Sequence, residues 1–310
     1  SGIKSRHVID KNGILDNKRM MPRVDNEHED RLSIHAIAGV NAAKNALKQA
    51  VISTEDIDAV IVGTSHAARN YPAVAIEIQN ELQIDGYAYD MLVGCSSTTF
   101  AINNAYSDIA SGLANTILVI NPEISTPFVN FTHRDKHFIF GDGCAATVIQ
   151  KDSTSDKSFK ILDRKLYTQF SNNIRSNYSY LNRAAIDRKD NEDLLFHQNG
   201  RGVFKDVCPL VAKLITDQLE LNKIDPKEIS KFWLHQANGK MIRLITSKIL
   251  GTDDFDSSIT PMPIVDFGNL ASVGSLFAFN LDNDLEAGQK GVICSFGAGY
   301  SVCSIIVEKN

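Results

Sequence analysis

The chain has 310 residues, 43% of them hydrophobic and 22% charged, with a net charge of −5. That length allows one large domain or two smaller ones around an extensive core, no run approaches the roughly 18–20 apolar residues of a membrane span, and the acidic balance argues against nucleic acid as main partner. Five cysteines, Cys95, Cys144, Cys208, Cys294 and Cys303, are scattered without CxxC spacing, which fits neither a disulfide framework nor a zinc site and points to a reducing, cytoplasmic setting.

The start, Ser1-Gly2-Ile3-Lys4-Ser5-Arg6, has no apolar signal-peptide centre. Residues 31–50 predict a helix with Ile34, Ala38, Val40, Ala43 and Leu47 on its apolar side. Ser53-Thr54-Glu55-Asp56 reads as a turn and Ile57–Gly63 as a buried strand. A further apolar run ends in Asp90-Met91-Leu92-Val93-Gly94-Cys95-Ser96-Ser97, ahead of an Ala-rich helical pattern. A cysteine at such a strand-to-helix turn sits at the positive end of a helix dipole, which favours the nucleophilic thiolate. The other four cysteines are embedded in apolar segments and read as structural, the alternative for Cys95 as well.

Phe140-Gly141-Asp142-Gly143 leads into a strand at Cys144–Ile149, and residues 151–160 form a polar surface loop. Residues 167–200 are less regular and rich in Asn, Tyr and Arg, so a place near a substrate entrance is expected. Residues 202–221 predict a helix carrying Val203, Val207, Leu210, Val211 and Leu214, followed by a turn at 225–228 and a strand at 229–234. His235 leaves that strand ahead of a helix from Asn238 to Leu250, a position matching that of Cys95 in the other half. A satisfied core histidine is the alternative. Asn269, in Asp266-Phe267-Gly268-Asn269, is a turn residue or a site residue, and Ala271, Ser272, Gly274 and Ser275 after it let a helix pack close. Phe296-Gly297-Ala298-Gly299 precedes a strand at Ser301–Val307. It is either a tight turn or a presenter of backbone N–H to an oxyanion.

Helix, turn and strand recur in the same order in both halves, and so does a Phe-Gly-x-Gly turn ahead of an apolar strand. This predicts duplication of one α/β unit, with halves at 1–155 and 156–310 and sheets covered on both faces. A cysteine, a histidine and an amide are the parts needed to make, hold and use a thioester.

Val93-Gly94-Cys95-Ser96-Ser97, Phe140–Gly143, Asn199-Gly200-Arg201 with Val203-Phe204-Lys205, His235-Gln236-Ala237-Asn238, Gly268-Asn269 and Ser295–Gly299 occur in order. Together they resemble the 3-oxoacyl-[acyl-carrier-protein] synthase III family nearly end to end. The resemblance implies the α/β thiolase fold, with duplicated βαβαβαββ halves in a five-layer α-β-α-β-α arrangement, as a homodimer. It implies decarboxylative Claisen condensation of an acyl-CoA with malonyl-[acyl-carrier-protein], without metal or redox cofactor. Asn121–Ile124, Gln169–Arg175 and Phe232–Gln236 are similar to the 3-oxodecanoyl-carrier-protein synthase subgroup, which takes a medium-chain primer such as octanoyl-CoA.

By the same resemblance Cys95 is the acyl-accepting nucleophile, and His235 and Asn269 polarise the malonyl thioester carbonyl. The backbone N–H groups of Cys95 and Ala298 form the oxyanion hole. Tyr71 reaches across the dimer and closes the acyl pocket, Arg134 lies near the CoA nucleotide, and Phe204 contributes to substrate binding. Lys205, Lys240, Arg243 and Lys248 are candidates for docking the acidic carrier protein, or an ordinary solvated face. Two departures stand out: Leu270-Ala271 replaces the usual Thr-Ser after the asparagine, and Ser1-Gly2-Ile3 aligns some way into the family's chain. The family's first strand and an acidic, Trp-bearing segment are expected in the native protein. A condensing enzyme of polyketide or quinolone-type metabolism, with the same residues and another acceptor, is the competing enzyme; a non-catalytic acyl-binding paralogue is the competing non-enzyme.

Overall fold

The computed structural model describes residues 2–18, 20–24, 31–133, 137–153, 155–177, 184 and 194–310. The chain forms α1 (Lys11–Leu15), α2 (Ile34–Ala50), β1 (Ala59–Gly63), α3 (Val74–Leu82), β2 (Tyr87–Met91), α4 (Ser97–Ala110), β3 (Thr116–Glu123) and β4 (Gly143–Gln150). It continues as β5 (Phe159–Ser171), β6 (Ile174–Arg175), β7 (His197–Gln198), α5 (Gly200–Leu221), β8 (Ile229–Leu234), α6 (Gly239–Leu250), α7 (Ile264–Phe267), α8 (Gly274–Leu281), β9 (Lys290–Gly297) and β10 (Gly299–Lys309). Three helix starts are written in the sequence. Ser33 Oγ accepts from the Ala36 amide, Asn199 Oδ1 from Gly202 and Asn238 Oδ1 from Lys240. Each side chain satisfies an amide that the first helical turn cannot.

One sheet has the order β2-β1-β3-β4 and a second the order β5-β10-β9-β8. In the first, β1 is parallel to β2 and β3, and β4 is antiparallel to β3. In the second, β9 is parallel to β8, and β10 is antiparallel to both β9 and β5. The sets β1-β3-β4 and β8-β9-β10 therefore share one order and one pattern of directions, as duplication requires.

Side-chain alternation assigns the layers. Val60, Val62, Leu118 and Ile120 face α2 and α3, whereas Ala59, Ile61, Ile117 and Val119 face α4 and α8. Ile293, Cys303 and Ile305 of the second sheet meet that same central helical layer, and Phe232, Leu234, Val292 and Val302 turn to α5 and α6. Two outer helical layers, two sheets and one shared inner layer result, with strands apolar on both faces because both are covered.

Part of the 167–200 stretch is more regular than expected. β5 runs on to Ser171, and β6 pairs antiparallel with β7. The end of β5, Tyr167-Thr168-Gln169-Phe170-Ser171, is largely exposed and has no continuous apolar run, so an apolar-run search passes over it. Residues 178–183 and 185–193 lie outside the described residues. The first residues run along both halves: Ile3 packs on the second half's core, the Lys4 amide donates to Val265 O at 2.7 Å, and the Asp142 amide donates to His7 O at 2.8 Å. No helix among the described residues is long and apolar enough to cross a membrane.

Candidate active site

After β2 the chain turns at Gly94, whose φ of +55° is disfavoured for a residue with a Cβ. Ser97 closes the turn: its Oγ accepts from the Val93 amide at 2.8 Å, and its own amide donates to Gly94 O at 3.1 Å. Cys95 is thereby held just ahead of α4, against the junction of β9 and β10. A Cβ on Gly297 would lie 2.5 Å from Cys95 Cβ and 3.0 Å from Sγ, so only glycine permits the approach. The backbone amides of Ala298 and of Cys95 itself lie close enough to the sulfur to pull its pKa down. Two donors at one place can receive negative charge developing on an acyl oxygen beside that sulfur. The two loops are stitched together, with Ser96 Oγ donating to Ser301 O at 2.9 Å and Ser301 Oγ donating to Ala298 O at 2.8 Å.

The protonation state of Cys95 differs from the sequence expectation. Burial, with the charge of Glu123, pushes the thiol up to about 12, opposed only in part by the two amides. Withdrawal of the sulfur from water outweighs the favourable end of α4. Burial therefore favours the thiol form of Cys95 in the free protein.

His235 is the first residue past β8. Its amide donates to Cys294 O at 2.8 Å, and its ring stands edge-on to Phe296 with centroids 5.2 Å apart. Burial pushes the imidazole down to about 4, so it is neutral near pH 7. Nδ1 has no partner among the described residues. The expected equivalence with Cys95 does not hold in detail: β8 is the counterpart of β1, whereas Cys95 follows β2. Both residues nonetheless lie beyond the carboxyl ends of parallel strands, where α/β sites gather.

Asn269 is gripped by the first half. Its amide donates to Ile139 O at 2.8 Å, and its carbonyl accepts from the Gly141 amide at 3.1 Å. The Phe140–Gly143 turn, which reads in the sequence as an echo of the second half, is the other side of this bridge. Asn269 Oδ1 accepts from the Ala271 amide at 2.9 Å, which leaves the carboxamide NH2 as the donating end.

Cys95, His235 and Asn269 line one narrow cavity of ≈ 30 Å³, together with Phe140, Ile174, Phe196, Gln198, Val203, Val207, Ala237, Met241, Phe296 and Gly297. The walls are mostly apolar and the polar groups few. Ile174, Phe196 and Gln198 come from the stretch expected near the entrance. Phe204 does not line the cavity. It packs on the second half's core, while Val203 and Val207, on another stripe of α5, face inward. Tyr71 is 83% exposed. Lys205, Lys240, Arg243 and Lys248 are exposed on α5 and α6. Arg134 lies outside the described residues. Sequence reasoning missed Ser301, the role of Gly297, and a buried carboxylate at Glu123. The one signal for each is a polar or small residue interrupting an apolar strand end.

A family model described as 3-oxoacyl-[acyl-carrier-protein] synthase III matches residues 89–169, and the model of its C-terminal part matches residues 219–309. The chain is 48% identical over 313 residues to a β-ketodecanoyl-[acyl-carrier-protein] synthase of Pseudomonas aeruginosa, covering 100% of this chain and 89% of that protein. The solved β-ketoacyl-[acyl-carrier-protein] synthase III of Thermus thermophilus superposes with a TM-score of 0.78 at 23% identity, covering 93% of this chain and 87% of that one. The 3-oxoacyl-[acyl-carrier-protein] synthase III of Aquifex aeolicus gives a TM-score of 0.76 at 23% identity, covering 93% and 88%. At that identity the two structures bear on the fold, which is the duplicated α/β thiolase fold. The chain belongs to the 3-oxoacyl-[acyl-carrier-protein] synthase III family, acyltransferases that form carbon–carbon bonds by Claisen condensation in fatty-acid synthesis.

Proposed function

We propose that this enzyme transfers a medium-chain acyl group from acyl-CoA to Cys95 and condenses it with malonyl-[acyl-carrier-protein]. The observation that carries the reading is the meeting of Cys95, His235 and Asn269, from three distant stretches, in one cavity. In the first stage the Cys95 sulfur attacks the thioester carbonyl. Neutral His235 accepts the thiol proton and passes it to the departing CoA sulfur, and the amides of Cys95 and Ala298 hold the oxyanion. In the second stage malonyl-carrier protein loses CO2. The electron pair left behind is spread onto the thioester oxygen, which receives hydrogen bonds from His235 and the Asn269 carboxamide. One such donor is worth roughly 2.7–4 kcal/mol. The carbanion attacks the acyl-cysteine, releases the sulfur and gives 3-oxoacyl-carrier protein. No metal or cofactor enters the scheme.

The medium-chain primer is supported by the 48% identity to a relative named for a ten-carbon 3-oxoacyl product. A homodimer in the cytoplasm is part of the proposal, with the exposed ring of Tyr71 available to close the partner's pocket. Intact-mass analysis after mixing the protein with equal acetyl-CoA and octanoyl-CoA is the test. Octanoylation confined to Cys95 is expected. Acetylation alone would overturn the chain length, and acylation that persists in Cys95→Ala would overturn the nucleophile.

A further inference from the structure

Glu123 is a buried charge that the condensation scheme leaves unused. It closes β3 with no exposed surface, and its Oε1 collects four donors. These are the Ser65 amide at 2.8 Å, the Ser65 hydroxyl at 3.0 Å, the Ser272 amide at 3.2 Å and the Ser272 hydroxyl. Oε2 has no partner among the described residues. A carboxylate removed from water is costly unless donors compensate it, and breaking such a cluster costs more than never having built it.

The donors come from places that matter. Ser65 follows β1, while Ser272 lies three residues beyond Asn269. Thr98, in the first turn of α4 beside the Cys95 elbow, donates its hydroxyl to Ser272 Oγ at 3.2 Å. The cluster thus ties the turn that carries Asn269 to the first sheet and to the helix behind the nucleophile. That turn is strained, because Ala271 has a φ of +48°. Such a conformation is unfavourable for a residue with a Cβ and persists where its surroundings over-determine it. The amide of the same Ala271 fixes Asn269 Oδ1 at 2.9 Å.

We propose that Glu123 is a positioning residue for carbon–carbon bond formation: through Ser272 it locks the strained Asn269–Ser272 turn so that the Asn269 NH2 is presented to the cavity. The proposal rests on the role given to Asn269 above. Burial pushes the Glu123 carboxyl up to about 7 against the pull of its donors. Either protonation state leaves Oε1 an acceptor for Ser272.

Separate measurement of the two half-reactions tests this, with octanoyl-CoA as primer and malonyl-carrier protein as extender. Acylation of Cys95 is read by intact mass, and condensation by CO2 release from the pre-formed acyl-enzyme. Ser272→Ala and Glu123→Ala should lower condensation about 10- to 100-fold, the scale of a misplaced catalytic group, with acylation held within about threefold in Ser272→Ala, the variant on which acylation is scored because Glu123→Ala also removes a charge that acts on the Cys95 thiol. Glu123→Gln, which keeps an acceptor for Ser272, should restore most of the loss. Equal losses in both half-reactions, or wild-type condensation by Ser272→Ala, would overturn the proposal, and Ser272→Ala decides alone if Glu123→Ala does not fold. Asn269→Ala is the reference. If it loses condensation while Ser272→Ala keeps it, only the positioning role falls. If Asn269→Ala itself condenses normally, the assignment beneath falls too.

Discussion

Gly297 faces Cys95 with no room for a side chain: a methyl group there would sit 2.5 Å from Cys95 Cβ. The contact brings the β9–β10 junction close enough for the Ala298 amide to act on the Cys95 thiol, and it ties the two halves at that sulfur.

Gly297→Ala should therefore separate folding from chemistry. Overpacking of this kind costs about 1–3 kcal/mol, which a large two-sheet core tolerates. Displacing the Ala298 donor should cost acylation about 100-fold or more. Thermal unfolding together with single-turnover octanoylation checks both. Near-normal acylation would mean that the junction does not serve the oxyanion.

The Cys95 thiol, pushed up to about 12 by burial and Glu123, makes a second expectation. The folded group keeps its proton well above pH 8. Alkylation of Cys95 by iodoacetamide in the free enzyme should rise about tenfold per pH unit from pH 6 to 9 without levelling, because thiolate is scarce throughout. A plateau below pH 8 would show that the resting sulfur is already ionised and that burial has been offset.

Three imidazoles give a pH dependence of stability. His35, His66 and His235 are each pushed down to about 4, chiefly by burial. Between pH about 6.5 and 4 the unfolded chain binds protons that the folded chain refuses, so stability is present above this window and is lost as pH falls through it. Glu123 works the other way, since its folded value of about 7 lies above the unfolded one, and Asp90 and Asp142 are raised in the same sense. The imidazoles outnumber Glu123, leaving a loss of at most about 2–3 kcal/mol per pH unit near pH 5, reduced by whatever protons Asp90 and Asp142 take up there. Urea unfolding at pH 5 and pH 6 measures it. Equal stability at the two values would mean that the buried carboxyls cancel the histidines.

The parts most legible in the sequence are those fixed by local pattern. Ile229–Leu234 forms β8 as expected, because an apolar run follows a turn, and the helices expected at 202–221 and 238–250 form as α5 and α6. Cys95, His235 and Asn269 stand out because each leaves a strand or turn among small or polar neighbours. Phe204 does not follow from pattern: one residue along a helix turns a side chain by about 100°, and only packing decides that Val203 faces the cavity. Nor does the ionisation of Cys95, which depends on how deeply the fold buries it. Glu123 at the end of an apolar strand reads as a solvated charge until its donors arrive from β1 and from the Asn269 turn.

The carrier protein supplies the last expectation. Lys205 on α5 and Lys240, Arg243 and Lys248 on α6 are exposed, and the inner faces of the same two helices supply Val203, Val207 and Met241 to the cavity. A net charge of −5 repels an acidic partner at long range, so docking needs such a local basic face. Reversing Lys240 and Arg243 to Glu should raise KM for malonyl-carrier protein about tenfold at low salt with kcat unchanged, because steering is altered and the reacting groups are not. The difference should shrink toward 1 M salt, where the screening length falls to about 3 Å. Octanoylation of Cys95 from free CoA thioester should be unaffected. An unchanged KM at low salt would make these residues an ordinary solvated helix face and move the docking surface elsewhere.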